Sequence, residues 1–184
     1  MRQVLVASRY AKSLLLLAAE KDAEGTIYED MKLVAQTCED SRELELLLKS
    51  PIVKADKKIA ILEIIFKGRL HEVSQKFMNL IAKNKREGLL FEIAVEFQNL
   101  YKAKHAIITA TVTTATGLDA DMKSAVLKLV GGSANSEVEL IERTDADLIG
   151  GLILRIGDQQ YDGSLQRRLS DLKQEFGKNA FIEN

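Results

Sequence analysis

Two glycine pairs and two aspartates are the residues whose types and spacing could do chemistry. Gly131-Gly132 and Gly150-Gly151 could bind phosphate, but neither pair leads into Gly-Lys-Ser/Thr or opens a GxGxxG turn between strand and helix. Asp145 and Asp147 begin like a calcium loop, yet isoleucines stand at the fifth and twelfth positions, where oxygen ligands are needed. We therefore expect structural positions: a helix end at Gly132, and at Gly150-Gly151 a strand start where two backbones approach closely.

The thiol and imidazole groups offer no catalytic or metal cluster either. The single cysteine, Cys38, excludes a disulfide framework and a cysteine-based zinc site. Acidic neighbours disfavour its thiolate, so we expect a packed small side chain. His71 and His105 are far apart in sequence and form no HxxxH or HExxH pair. The sequence thus predicts no catalytic residue, no metal site and no cofactor, which argues against an enzyme.

The composition is that of an ordinary globular protein. Of 184 residues, 46% are hydrophobic and 29% charged, which is enough apolar surface to offset the entropy of ordering. Lys and Arg total 26 against 27 Asp and Glu, so no basic excess points to nucleic acid. The early apolar run Leu14–Ala19 is too short to span a bilayer and is a poor signal peptide. We expect the chain to stay in a reducing cytoplasm.

Residues 1–105 have apolar side chains at helical spacing throughout. Ser41 is a candidate N-cap for the third helix, which Ser50-Pro51 ends. Six helices are predicted in all, at Val4–Lys21, Thr26–Thr37, Arg42–Lys49, Asp56–Lys67, about 71–84 and about 89–104.

The pattern changes at Ala106, where β-branched residues alternate with period two. A strand there, the helix Asp119–Val130 and a final helix capped by Asp162 or Ser164 are predicted, with three more strands at Val138–Arg143, Gly151–Ile156 and Gln159–Tyr161. The predicted fold class is α + α/β. A six-helix bundle over residues 1–105 is followed by a small α/β domain over 106–184, which has a mixed sheet and two helices.

The four consecutive leucines Leu14–Leu17 point around most of a helix circumference, because successive residues are about 100° apart. A helix packed on one side needs only one apolar stripe. Either this helix is central in the bundle, or another chain covers its second face.

A long stretch near the C-terminus carries a family resemblance. Asp147–Asp158, with its Ile-Gly-Gly, and Tyr161–Leu169 closely resemble the C-terminal signature of the delta subunits of bacterial rotary ATP synthases. The mitochondrial counterpart of that family is the oligomycin-sensitivity-conferring protein. Further segments resemble the family's opening helix, its Asn-Pro loop with the helix that follows, and its Asn-x-Arg segment: Ala7–Lys12, Ser50–Val53 with Lys57-Lys58, and Asn79–Arg86. Ser50 replaces the usual asparagine.

The resemblance implies a non-catalytic stator subunit of the proton-translocating ATP synthase. In this family the helical domain sits on the catalytic head, made of alpha and beta subunits, and holds N-terminal helices of the alpha subunits. The C-terminal domain holds the ends of the peripheral-stalk b subunits. The protein would then lie at the cytoplasmic face of the cell membrane, associated with the membrane only through the complex.

The resemblance also implies where these partners bind. The head groove lies between the first and fifth helices, where the candidates are Tyr10, Leu14, Ala18, Phe77, Leu80 and Ile81. For the stalk we expect the last helix, with Leu165, Leu169, Leu172 and Phe176. The competing interpretations are ordinary bundle core for the first set and packing on the domain's own sheet for the second.

Two other functions remain open at this point. A helical RNA-binding or regulatory adaptor would need a basic face with exposed aromatic side chains, and residues 1–105 carry only a net +3 of mixed signs. A small enzyme would use the α/β domain and would show a bound cofactor or turnover. Neither accounts for the C-terminal signature.

Overall fold

The computed structural model describes residues 2–131 and 137–179. The chain divides between His105 and Ala106 into two compact units, each of which has its own hydrophobic core. The helix end expected at Gly132 lies outside the described residues.

The first unit is helical throughout, as the periodicity predicts. Its described residues form α1 (Arg2–Glu20), α2 (Glu24–Asp40), α3 (Arg42–Lys49), α4 (Ala55–Phe66), α5 (Glu72–Lys83) and α6 (Leu90–Lys104), with a short 3-10 turn at Glu87–Leu89 before α6. The apolar periodicity of the sequence does not indicate this turn.

Local chemistry sets the ends of these helices. The Ser41 hydroxyl accepts a hydrogen bond from the Leu44 backbone N–H at 3.3 Å, so the predicted N-cap of α3 is confirmed. Ser50 is the C-cap of α3, and Pro51, which follows it, cannot continue the helix. After α4 the chain turns at Gly68, whose φ of +69° lies in the left-handed region that favours glycine.

The core of the first unit forms where α1 and α2 both pack on α6. One apolar stripe of α2 is fully buried, and its members are Ile27, Met31 and Val34. Cys38 is buried beside it, and burial together with the charges of Glu45 and Glu92 raises its pKa to about 11. The thiol is therefore a packing group, as expected.

The end of α6 is tied to the start of α2. Glu24 accepts a hydrogen bond from Lys104 and lies 2.8 Å from His105 Nε2, and these two partners hold the pKa of its carboxyl below the ordinary value. The Tyr101 ring stacks on Tyr28 at 4.3 Å between centroids. These contacts fix the last residues of the unit against its second helix.

The leucine run of α1 is not buried on all sides of the helix. Leu14 is 1% exposed, but Leu16 is 69% and Leu17 is 38% exposed. The interpretation of α1 as a central helix is therefore wrong, because only one of its faces meets the core. The opposite face leaves large apolar side chains in solvent.

The second unit is a small mixed sheet with two helices. Its described elements are β1 (Ile108–Thr114), α7 (Ala120–Gly131), β2 (Val138–Thr144), β3 (Leu152–Ile156), β4 (Gln159–Asp162) and α8 (Leu165–Asn179). The strand order is β2-β1-β3-β4; β1 pairs parallel with β2, and the other two pairs are antiparallel. The parallel pair needs a crossover, which α7 provides.

One face of this sheet holds the core of the second unit. Ala110 and Val112 of β1 and Leu154 of β3 pack against Val126 and Val130 of α7. The threonines that alternate with these β1 residues turn to the other face of the sheet, as the period of two requires.

None of the described helices is long and apolar enough to cross a membrane. Within residues 2–131 and 137–179, no three His, Cys, Asp or Glu side chains come together as a metal site would need.

Candidate partner-binding surfaces

The position of α5 depends on a buried carboxylate of α2. Asp30 Oδ2 accepts the backbone N–H of His71 at 2.9 Å and the hydroxyl of Ser74 at 2.6 Å, both at the start of α5. The His71 ring itself accepts the Val73 N–H. A carboxylate at a helix N-terminus is also favoured by the helix dipole. Asp30 therefore sets the location of α5, and with it one wall of the predicted head groove.

An aromatic contact joins α5 to α1. The Tyr10 and Phe77 rings meet edge to face, with 6.4 Å between centroids and 69° between planes. Tyr10 is half-buried and Phe77 is almost fully buried. The predicted groove residues on the two helices are therefore neighbours in the fold.

The six predicted groove residues differ in their access to a partner. Leu14, Ala18 and Ile81 are buried in the core, where they hold the helices together. Leu80 is 51% exposed, and Tyr10 is also partly accessible. A partner helix could therefore rest on Leu80 and Tyr10, while the other members of the set support the groove from below. Leu17, also accessible, continues the Tyr10 stripe along α1.

A close backbone approach fixes the start of α8. A Cβ on Gly151, whose φ is +83°, would lie 2.4 Å from the carbonyl oxygen of Gly163. Leu165 N–H donates to the Gly150 carbonyl at 2.9 Å, and Gly163 N–H to the Leu152 carbonyl at 2.9 Å. The expectation that two backbones approach closely at this glycine pair is confirmed.

Ser164 is the cap of α8, which resolves the choice between it and Asp162. The Ser164 hydroxyl accepts the Arg167 N–H at 3.2 Å. Asp162 Oδ1 in turn accepts the Ser164 N–H at 3.0 Å, and the backbone and hydroxyl of Ser164 hold the pKa of the Asp162 carboxyl below its ordinary value. The direction of α8 is therefore set by the turn that precedes it.

The apolar stripe of α8 is uncovered. Its four members are between 45% and 74% exposed, and Phe176 is the most exposed. The interpretation in which the domain's own sheet buries them is therefore wrong. Their spacing of four, three and four residues is that of a coiled-coil seam. The four are Leu165, Leu169, Leu172 and Phe176.

Two buried polar contacts of the first unit are not predicted by the sequence pattern. Asp30 interrupts the apolar stripe of α2, and a lone acid on such a stripe is the signal that could have identified it. A buried ion pair between Lys58 and Glu87, 2.6 Å apart, has no comparable signal, because the two lie 29 residues apart on different elements.

The chain is similar to known proteins along almost its whole length. The profile of the family described as "ATP synthase delta (OSCP) subunit" matches residues 6–176. The ATP synthase subunit delta of Cytophaga hutchinsonii is 38% identical over 176 residues, which is 96% of each chain. That of Christiangramia forsetii is 37% identical over 183 residues, 99% of this chain and 98% of its own.

A solved structure shares the fold. A chain of the Toxoplasma gondii mitochondrial ATP synthase hexamer superposes with a TM-score of 0.70 at 21% identity, covering 92% of this chain and 96% of that one. At this identity the likeness speaks for the fold alone.

Proposed function

Because this chain belongs to the ATP synthase delta (OSCP) subunit family, we propose that its two units are two separate attachment points. The subunit is non-catalytic. It is a stator link between the catalytic head and the peripheral stalk, so that rotor torque is coupled to ATP synthesis. This membership also removes the RNA-binding adaptor as an alternative.

We propose that the six-helix unit, residues 1–105, binds the N-terminal helices of the alpha subunits, and that residues 106–184 bind the b subunits. The observation that carries this division is that each unit has its own core and leaves an apolar helix face uncovered. Two independent cores can hold two partners without sharing side chains between the contacts. We place the complex at the cytoplasmic face of the cell membrane, with this subunit held there through its partners.

The head contact is proposed on the accessible part of the α1–α5 groove. Leu80, Leu17 and the accessible part of Tyr10 present apolar surface there, and a fully buried leucine is worth about 1.5–3 kcal/mol. An amphipathic partner helix would bury these side chains in one contact. Leu14, Ala18, Phe77 and Ile81 position the two walls.

Leu80→Asp is expected to weaken binding of the full-length chain to catalytic heads that lack this subunit by roughly 10- to 100-fold, because a charge would be desolvated in an apolar contact. The affinity for heads is measured in a titration by biolayer interferometry. Leu46→Asp, at an equally accessible leucine of α3, is the matched control and should bind normally. Equal affinities for the two variants would contradict the groove. Leu14→Asp is unsuitable, since that side chain is 1% exposed and its loss would unfold the unit.

The stalk contact is proposed on the uncovered stripe of α8. The double variant Leu169→Asp/Phe176→Asp should leave ATP hydrolysis by membranes intact but cut proton pumping per ATP several-fold, because the head is no longer held against the rotor. Ile149→Asp, 68% exposed and outside α8, is the control. Normal coupling, with the variant shown to be on the head, would exclude α8 from the stator joint.

A further inference from the structure

Two segments that carry the family resemblance meet at a cleft away from the α1–α5 groove. The loop Ser50–Lys54 and the turn Lys85–Leu89 line opposite sides of it, and the start of α4 closes it. The cleft has a volume of about 970 Å³. The residues that line this cleft have no place in the two contacts proposed above.

The inner wall of the cleft is fixed by a buried amine. Lys58 Nζ donates to Glu87 Oε1 at 2.6 Å and to the Leu48 carbonyl at 2.8 Å, and its side chain is 3% exposed. Lys58 thus joins α3, α4 and the 3-10 turn, so that the cleft keeps its shape without a ligand.

The rim of the cleft carries three exposed basic side chains. Lys54, Lys85 and Arg86 are exposed, and none of them forms an ion pair with another described residue. The rim also contains Asp56, but the cations outnumber it. The rim is therefore chemically suited to carboxylates.

Lys85 stands where a glycine would be easier. Its φ is +55°, and α5 ends there with the paired bonds Lys85 N–H to Ala82 O and Arg86 N–H to Ile81 O, each 3.0 Å. This C-terminal motif usually has glycine at the left-handed position, because a Cβ is disfavoured there. Lys85 therefore lines the cleft at a conformational cost.

The cleft also has unmet acceptors and an apolar neighbour. Glu87 Oε2 and Glu92 Oε2 are buried without a hydrogen-bond partner, and both residues line the cleft. Beside it, Ile52 is 90% exposed. A ligand that fits the exposed rim and Ile52 offers carboxylates for the cations, N–H donors for the Asp56 carboxylate and an apolar side chain.

We propose that this cleft binds an acidic polypeptide segment of the catalytic head, as a second head contact besides the α1–α5 groove. The inference rests on the proposed attachment of this unit to the head. A polypeptide supplies both the carboxylates for the rim cations and backbone N–H donors for the exposed carboxylate of Asp56. RNA is disfavoured because none of the described residues that line the cleft is aromatic and could stack on bases. An anionic membrane would meet the carboxylates of Asp56 and Glu92 without neutralising them.

The test is binding of the full-length triple variant Lys54→Glu/Lys85→Glu/Arg86→Glu to catalytic heads that lack this subunit. We expect the affinity of the triple variant to be roughly 10- to 100-fold below that of wild type at 50 mM KCl. The difference in affinity between the two should be smaller at 400 mM KCl, because salt screens the contact. The control reverses three exposed cations elsewhere on the same unit, none of them on α1 or α5, for the same change in net charge, and should bind close to wild type: Lys32→Glu/Arg42→Glu/Lys67→Glu.

Each outcome decides between the contacts. If wild type binds and the triple variant binds equally well with the same salt dependence, the cleft is not a head contact, while the groove proposal stands. If wild type does not bind heads, both proposals fail. The triple variant is also tested with a 20-nucleotide RNA and with vesicles that contain 30% anionic lipid. If the triple variant loses binding to one of these ligands but not to heads, the cleft binds that ligand and the proposed polypeptide contact is overturned.

A photo-crosslinker identifies the segment directly. p-Benzoyl-phenylalanine in place of Ile52 should crosslink, in the assembled complex, to a head peptide rich in Asp and Glu. The same probe in place of Ile149, an exposed isoleucine of the second unit, should give no head crosslink. Absence of a crosslink at Ile52 in complexes that contain the subunit would overturn the inference.

Discussion

Gly151→Ala should destabilise the second unit by about 2–5 kcal/mol, one of the largest effects expected from a single methyl group in this protein. Its Cβ would lie 2.4 Å from the Gly163 carbonyl oxygen and 3.0 Å from Ser164 Cα, both backbone atoms that cannot rotate away. The φ of +83° adds a conformational cost for any residue with a side chain. The readout is thermal unfolding of the full-length chain, in which the transition of the second unit should fall by 10 °C or more, about 4–8 °C per kcal/mol.

The control is another glycine of the same unit with a left-handed backbone. Gly157 has φ +55°, but a Cβ there would meet nothing within 4 Å, so Gly157→Ala reports the conformational cost alone, about 1 kcal/mol. The transition of residues 1–105 should stay unchanged in both variants. Equal shifts for Gly151→Ala and Gly157→Ala would show that the backbone approach at α8 does not matter.

Lys58→Met should destabilise the first unit by about 3–5 kcal/mol, because it leaves the Glu87 carboxylate buried without its cation. Oε2 of that carboxylate already lacks a hydrogen-bond partner, and Oε1 would lose its bond to Lys58. The Leu48 carbonyl at the end of α3 would lose its donor as well. The measurement is urea unfolding of the full-length chain followed by helical circular dichroism.

Two further variants test whether the loss of stability in Lys58→Met comes from the buried ion pair. Lys58→Met/Glu87→Leu should recover most of the loss, since apolar replacements of a buried pair are often neutral. Lys76→Met breaks the pair with Glu72, in which both side chains are 74% exposed, and should cost about 0.5 kcal/mol or less. A loss for Lys58→Met no greater than that for Lys76→Met would show that the buried pair is not what holds α3, α4 and the 3-10 turn together.

Local patterns allowed most of the secondary structure to be predicted. The Ser41 cap, the stop at Ser50-Pro51 and the alternation around Val112 each depend on residues a few positions apart, and the structure has an element boundary or strand at each. The exposure of the α8 stripe could not be predicted, because its spacing is the same whether the helix packs on its own sheet or on a partner.

Which apolar residues are accessible depends on the meeting of distant helices. Helical spacing is compatible with Leu14 and Leu80 both lining the groove, yet Leu14 is 1% exposed and Leu80 is 51% exposed. The anchors of the site are equally non-local: Asp30 binds Ser74 from 44 residues away, and Lys58 binds Glu87 from 29 away. No periodicity links such pairs, so the supports of the site appear only in the folded structure.

The packing of α1 and α2 on α6 has a consequence for synthesis on the ribosome. The stripe of α1 that contains Leu14 and Ala18 is covered only once α6, which ends at Lys104, has been made. At roughly 5–20 residues per second, the nascent chain carries this stripe unprotected for on the order of ten seconds, an interval in which chaperones can bind it. Since none of the described residues beyond α6 belongs to this core, the first unit can then finish folding while the strands of the second are still being translated.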